Sequence, residues 1–245
     1  MKTIRIVLLF LLIIGAILLS VGNKDNVYSS VFDEERFAAM RKSMVDRQII
    51  RRGVMDKNVL EAMMSVSRHL FVPENNISHA YDDSPLPIGY GQTISQPYIV
   101  AYMTEVLNLD SDSIVLEVGT GSGYQAAILS VLVKKVYTME IVRELSESAS
   151  DRLQKLGYDN VEVKNDDGYY GWQEHAPFDA IIVTAAAGHI PPPLIKQLKN
   201  NGRMIIPVGG SFMTQNLVLV KKDSQGNITT LNVMPVMFVP LTGKH

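Results

Sequence analysis

Three glycines at alternate positions, Gly119, Gly121 and Gly123, follow the apolar run Ile114-Val115-Leu116-Glu117-Val118 and precede a helical pattern. With no side chains in the way, the backbone of such a loop can approach a ligand closely. The dinucleotide fingerprint asks for G-x-G-x-x-G, but Tyr124 stands at its sixth position and the third glycine falls at the fifth. Glu117 lies two residues before the first glycine, where a carboxylate would repel a pyrophosphate but is tolerable beside a sulfonium or an ammonium. Glu140 closes the next strand-like run, 21 residues beyond Gly119, and Asp167-Gly168 follows the one after that. An acid at a strand end can accept hydrogen bonds from both ribose hydroxyls, which is the role expected of Glu140. Asp167 can accept from an exocyclic amine while Gly168 gives an adenine ring clearance. Three acids at the carboxyl ends of three consecutive strands would meet at the edge where open α/β sheets bind ligands.

The elements that must hold these residues alternate in type. Short β-rich runs (113–118, 135–139, 160–164, 178–184, 203–207) are interleaved with helical ones (125–133, 143–156, 192–199). This alternation predicts a doubly wound α/β fold, with a mostly parallel sheet and helices on both faces. The runs 216–222 and 228–238, separated by Asp223-Ser224-Gln225-Gly226-Asn227, predict a closing antiparallel hairpin. Before the sheet, Asp33 can cap a helix ending near Gly53, with Phe37, Met40, Met44 and Val45 on one face. A second helix, 56–65, presents Val59, Leu60, Met63 and Met64; an extended segment runs from His69 to Val72, and a third helix spans 98–107. Between them, residues 81–97 carry too many prolines and glycines for a regular element and form too long a connector to be idle. Trp172 and the Tyr169-Tyr170 pair read as packing aromatics.

The N-terminus stands apart. Ile6 to Val21 is uninterrupted by charge, preceded by Lys2 and Arg5, with Ser20 and Gly22 just after its apolar centre. Its 16 residues would span roughly 24 Å as a helix, between a secretory signal and a short membrane anchor. Residues 1–22 are therefore expected to be a signal or anchor giving membrane association through 4–21, residues 23–30 a linker, and residues 31–245 one domain. Within that domain 31–110 form the helical and substrate-loop part and 111–245 the ligand-binding sheet.

Composition removes several chemistries. With 23 basic and 25 acidic residues the formal charge is −2, which offers no electrostatic capture of nucleic acid. The absence of Cys excludes a thiolate nucleophile, disulfides and Cys-based metal sites, and His69, His79, His175, His189 and His245 lack metal-ligand spacing. No metal is expected. At the end of the fourth strand, Phe178 to Ala187 lacks the Asn/Asp-Pro-Pro-aromatic string used to hold a flipped base.

The pattern Glu117-x-Gly119-x-Gly121-x-Gly123 resembles the S-adenosylmethionine loop of the Rossmann-like methyltransferases. A closer resemblance, to the protein-L-isoaspartate O-methyltransferase family, runs from about Met44 to Thr242. It rests on Gln48-Ile49, Arg52-Gly53-Val54, Arg68-His69-x-Phe71-Val72-Pro73-Glu74, Pro85-Leu86-Pro87-Ile88-Gly89, Gly91-Gln92-Thr93-Ile94-Ser95-Gln96-Pro97, Phe178-Asp179-Ala180-Ile181 and Phe238-Val239-Pro240-Leu241-Thr242. The string from Gln92 to Pro97 is specific to this family. The resemblance implies S-adenosylmethionine as methyl donor and isoaspartyl-containing proteins and peptides as partners. It further implies that Ser95 is the active-site hydroxyl, that Gln92, Thr93, Ile94 and Ser95 border both donor and peptide, and that Thr242 reaches the cofactor. Gln96, Pro97 and Val239 are expected on the peptide side. Ser67 and Gly188 depart from the family pattern, where many relatives carry Pro.

An isoaspartyl α-carboxylate is already ionised at neutral pH, so attack on a methyl sulfonium needs alignment rather than a general base. The methyl ester would then be attacked by the following backbone amide and pass through a succinimide to normal aspartate without further enzyme. Two other readings share the glycine loop, a methyltransferase of small carboxylic acids and a non-catalytic cofactor-binding protein. Relatives are typically cytoplasmic, whereas residues 1–22 read as an export or anchor segment.

Overall fold

The computed structural model describes residues 33–210 and 213–243. The signal or anchor segment 1–22, the membrane association through 4–21 and the linker 23–30 all lie outside the described residues. Among the described residues no helix is long and apolar enough to cross a membrane.

Seven strands form one sheet in the order β5-β4-β3-β6-β7-β8-β9. They are β3 (Ile114–Val118), β4 (Lys135–Glu140), β5 (Val161–Asn165), β6 (Phe178–Val183), β7 (Leu198–Val208), β8 (Gln215–Lys222) and β9 (Ile228–Val236). The first five pair in parallel, and β8 and β9 add the expected antiparallel hairpin beside β7. Both faces of the central strands are covered, so alternate residues enter two different cores. Val115, Ala180, Ile182 and Ile205 join one, and Leu116, Val118, Ile181, Val183, Met204 and Ile206 join the other. The first core is closed by a helix α1 through 33–44 and by α2 (Lys57–Ser65), α3 (Pro97–Leu107), α4 (Tyr124–Ser130) and α5 (Arg143–Lys155). The second is closed by α6 (Pro192–Gln197) and by short turns around Trp172, which is buried there. Glu117 shares the α3 and α4 side with Val115, because successive strand residues alternate faces.

The N-terminal helix meets expectation at its end. After α1, a π turn at Val45–Ile49 and a 3₁₀ turn at Ile50–Arg52 carry the chain to Gly53, whose φ of 94° closes it. In α2 the Asp56 side chain accepts from Val59 N, and the buried face is Val59, Ala62 and Met63. Met64 is on the exposed side, so the predicted face is rotated towards Ala62. Asp56→Ala is expected to lower stability by about 1 kcal/mol through loss of the cap, read as a shift in the urea midpoint. An unmoved midpoint would make the cap redundant.

Two predicted elements differ. Residues 68–71 form a 3₁₀ turn rather than an extended segment, drawn in by the buried side chains of Arg68, His69 and Phe71. Residues 81–97 are not irregular throughout: β1 (Leu86–Gly89) and β2 (Gln92–Ile94) pair as a small antiparallel hairpin that turns at Tyr90 and Gly91, both at positive φ. Strand β7 also begins five residues before the predicted run, immediately after α6. At the outer edge of the main sheet, β9 pairs only with β8 and carries Pro235 near its end.

Candidate active site

The glycine loop is held open from three sides. Gly119 N and Thr120 N donate to Met139 O at 2.8 and 3.2 Å. Thr184 Oγ1, just past β6, donates to Gly119 O at 2.6 Å and to Val118 O at 3.1 Å. Glu140 reaches back from the end of β4, one carboxylate oxygen accepting from Gly121 N at 2.8 Å and the other from Val142 N at 2.9 Å. Each oxygen retains a second lone pair for a ligand. Gly119 and Gly121 sit at φ of 102° and 53°, in the region that glycine enters without strain.

A cleft at the carboxyl ends of the strands is lined by Gln92, Thr93, Gly119, Gly121, Glu140, Gly168, Val239 and Thr242, together with Thr184. A Cβ on Gly168 would approach Val118 Cγ1 to 2.5 Å, so only glycine fits that wall. Asp167 sits at the start of the Gly168–Tyr170 turn, with its side chain accepting from Tyr169 N at 3.0 Å. Gly123 lies outside the cleft wall; its φ of 87° and the approach of Leu153 and Ala149 make it a packing glycine between α4 and α5. Thr242 is brought in because Ala186 N donates to Val239 O and Leu241 N to Ala186 O, pinning the C-terminal segment beside β6.

Behind the cleft lies an inner pocket containing Ile94, Ser95, Glu117, Gly119 and Gln125. Glu117 is fully buried; Thr138 Oγ1 donates to one of its oxygens at 2.6 Å, and the other has no hydrogen-bond partner among the described residues. Burial pushes its carboxyl up to about 8, against the pull of the Thr138 hydroxyl and with some help from the charge of Glu140. A partnerless buried oxygen beside a ligand pocket invites a donor or a positive charge.

A third hollow, on the outer side, is lined by Arg52, Ser95, Gln96, Ile99 and the segment from Met234 to Val239. Phe238 N is taken by Gln215 Oε1 at 2.8 Å and Val239 O by Ala186 N, but the amides of Met237 and Val239 have no partner among the described residues. Gln96 uses its amide to hold Asp83, which Arg52 also meets at 3.3 Å. Pro97 is buried at the first position of α3 and is not part of this wall. Ser95 Oγ has no hydrogen-bond partner among the described residues, and no histidine lines either of its pockets, so it has no base to make it a nucleophile. Thr93 and Thr184 line all three spaces, so cleft, inner pocket and outer groove meet at that pair.

Two residues here were not singled out from the sequence. Thr184 is one, its only signal being a hydroxyl at a strand end. Arg68, buried beneath Ser95, is the other. The departure at Ser67 has a structural use, since its hydroxyl accepts from Arg41 Nη1 at 2.9 Å. Gly188 is exposed with open space around it.

The sequence profile described as "Protein-L-isoaspartate(D-aspartate) O-methyltransferase (PCMT)" matches residues 39–245. Protein-L-isoaspartate O-methyltransferase 2 of Syntrophobacter fumaroxidans is 62% identical over 80% of this chain and 79% of its own length. A solved protein-L-isoaspartate O-methyltransferase superposes with a TM-score of 0.73 at 30% identity, covering 83% of this chain and 66% of that one. A second solved structure, a Plasmodium falciparum protein of the same description in complex with S-adenosyl-L-homocysteine, gives 0.70 at 27% identity over 84% and 98% of the two chains.

Proposed function

The chain belongs to the protein-L-isoaspartate(D-aspartate) O-methyltransferase family, and from that premise we propose how its own residues carry the reaction. The enzyme transfers a methyl group from S-adenosylmethionine to the free carboxylate of isoaspartyl residues. The cofactor supplies an electrophilic methyl on a sulfonium. The chain's task is to bring a carboxylate to it in line and to exclude water.

Glu117, Glu140, Gly119, Gly121 and Gly168 would hold the cofactor, with Gln92, Thr93, Ile94 and Thr242 closing over it. Asp167 would serve the adenine end through the turn it caps, and Gly123 would support the loop from beneath. Acids suit a cationic donor, and the partnerless Glu117 oxygen supports this reading. Ser95 would donate a hydrogen bond to the substrate carboxylate and fix its approach, and neutral hydroxyl donation leaves that carboxylate ionised and nucleophilic. Gln96 would shape the peptide side, with Pro97 behind it setting the start of α3. The unpaired amides of Met237 and Val239, two residues apart, suit an extended peptide backbone laid along that segment.

The observation that carries this reading is the meeting of the three spaces at Thr93 and Thr184, with Ser95 between the inner pocket and the outer groove. Ser95→Ala is expected to lower kcat for an isoaspartyl peptide by about 10- to 100-fold while S-adenosylhomocysteine affinity stays within about twofold. Labelled-methyl transfer and calorimetry measure the two. Full turnover in the variant would remove Ser95 from the mechanism.

A further inference from the structure

We propose that Arg68 is a positioning residue for methyl transfer, acting through the backbone of Ser95; the proposal rests on the role given to Ser95 above. Arg68 is completely buried and has no carboxylate partner among the described residues. Its Nε donates to Ala80 O at 2.7 Å and its Nη2 to Ser95 O at 2.8 Å, while Nη1 is buried with no hydrogen-bond partner among the described residues. The guanidinium carbon lies 4.9 Å from the centre of the Tyr124 ring.

A site that needed only volume would be filled at far lower cost by an apolar side chain, because an uncompensated cation in a protein interior is strongly penalised. The penalty is visible in the guanidinium itself, which burial lowers to about 10. What the cation obtains is a fixed relation between separate segments. Ala80 caps the Glu74–His79 turn, Ser95 stands between β2 and α3, and Tyr124 is the first residue of α4 after the glycine loop. Gln96 O already receives the first amides of α3, from Ile99 and Val100, so α3 holds the chain from Gln96 onwards. Ser95 itself belongs to neither element, and among the described residues the Arg68 bond is the one its carbonyl receives. Since no described side chain orients the Ser95 hydroxyl, its direction follows from that backbone.

The planar fork of arginine reaches two carbonyls at once, which the single ammonium of lysine does with poorer geometry. Arg68→Lys keeps the charge and loosens the fork. The test is a double-mutant cycle on kcat in the full chain, with Arg68→Lys and Ser95→Ala singly and together and an isoaspartyl peptide as substrate. Arg68→Lys is expected to lower kcat about tenfold, with peptide KM and S-adenosylhomocysteine affinity within about twofold, and to cost less than about twofold further in the Ser95→Ala background. An equal loss in both backgrounds, or wild-type turnover in Arg68→Lys, overturns the proposal. Full turnover in Ser95→Ala alone instead overturns the Ser95 reading, and this one with it. Should Arg68→Lys fail to bind S-adenosylhomocysteine, the cycle is run with Arg68→Gln, which keeps one amide donor, under the same criteria.

Discussion

Gly119→Ala is expected to weaken S-adenosylhomocysteine binding by about 100-fold and to destabilise the fold by about 2–5 kcal/mol. Two independent effects add. The backbone at Gly119 has a φ of 102°, a region in which any L side chain is strained. The new methyl would also collide with Thr184 Oγ1, the hydroxyl that holds Gly119 O and Val118 O. Either the loop moves into the cleft or Thr184 leaves, and both outcomes spoil the wall shared by all three spaces. Gly121→Ala provides the contrast. Its φ is 53°, and an added methyl meets only the flexible end of Ile88 at 3.3 Å, so a cost near 1–2 kcal/mol follows from the left-handed backbone alone. Calorimetry and urea denaturation on both variants separate the two, and equal losses would show that Thr184 is not the constraint.

The second large effect concerns protons. Glu117 is held protonated in the fold up to about 8, whereas an unfolded chain ionises it near its ordinary 4.5. Between those values the folded state binds the additional proton, so the contribution of this group is full below the lower value and is lost as pH rises through the upper one. Stability without cofactor should therefore fall across roughly pH 5 to pH 8, by a few kcal/mol at most, and Glu117→Gln should flatten that slope. A cationic ligand beside the free oxygen reverses the balance and favours the carboxylate. Binding of S-adenosylmethionine near pH 7 is then expected to release close to one proton, seen as a dependence of calorimetric enthalpy on the buffer's own ionisation heat. Glu117→Gln should release none. The same proton release from wild type and variant would place the titrating group elsewhere.

The sheet was legible because its signals are local. Short β-rich runs gave β3 to β6 within a residue or two, and Gly119, Gly121, Glu140 and Gly168 fall together because strand ends share one edge of a parallel sheet. Elements stabilised by distant partners were not legible. The turn at Arg68–Phe71 depends on carbonyls 12 and 27 residues away. The start of β7 at Leu198 depends on pairing with Phe178, across a register break that no periodicity announces. Arg68 looked like part of a motif because only the folded chain reveals that its cation is buried. The roles of Gly123 and Pro97 illustrate the converse: neighbours in a motif can support a site from beneath without facing it.

Pro235 gives the outer strand a boundary. An open sheet edge can recruit any extended chain, a hazard for a protein whose substrates are themselves polypeptides. Proline offers no amide, so a chain zipping along β9 meets a break just before the segment where the Met237 and Val239 amides have no partner among the described residues. If the stretch beyond the break takes the substrate peptide as proposed, a client would thereby be kept from creeping along the strand in successive registers, and its frame would be set relative to Ser95.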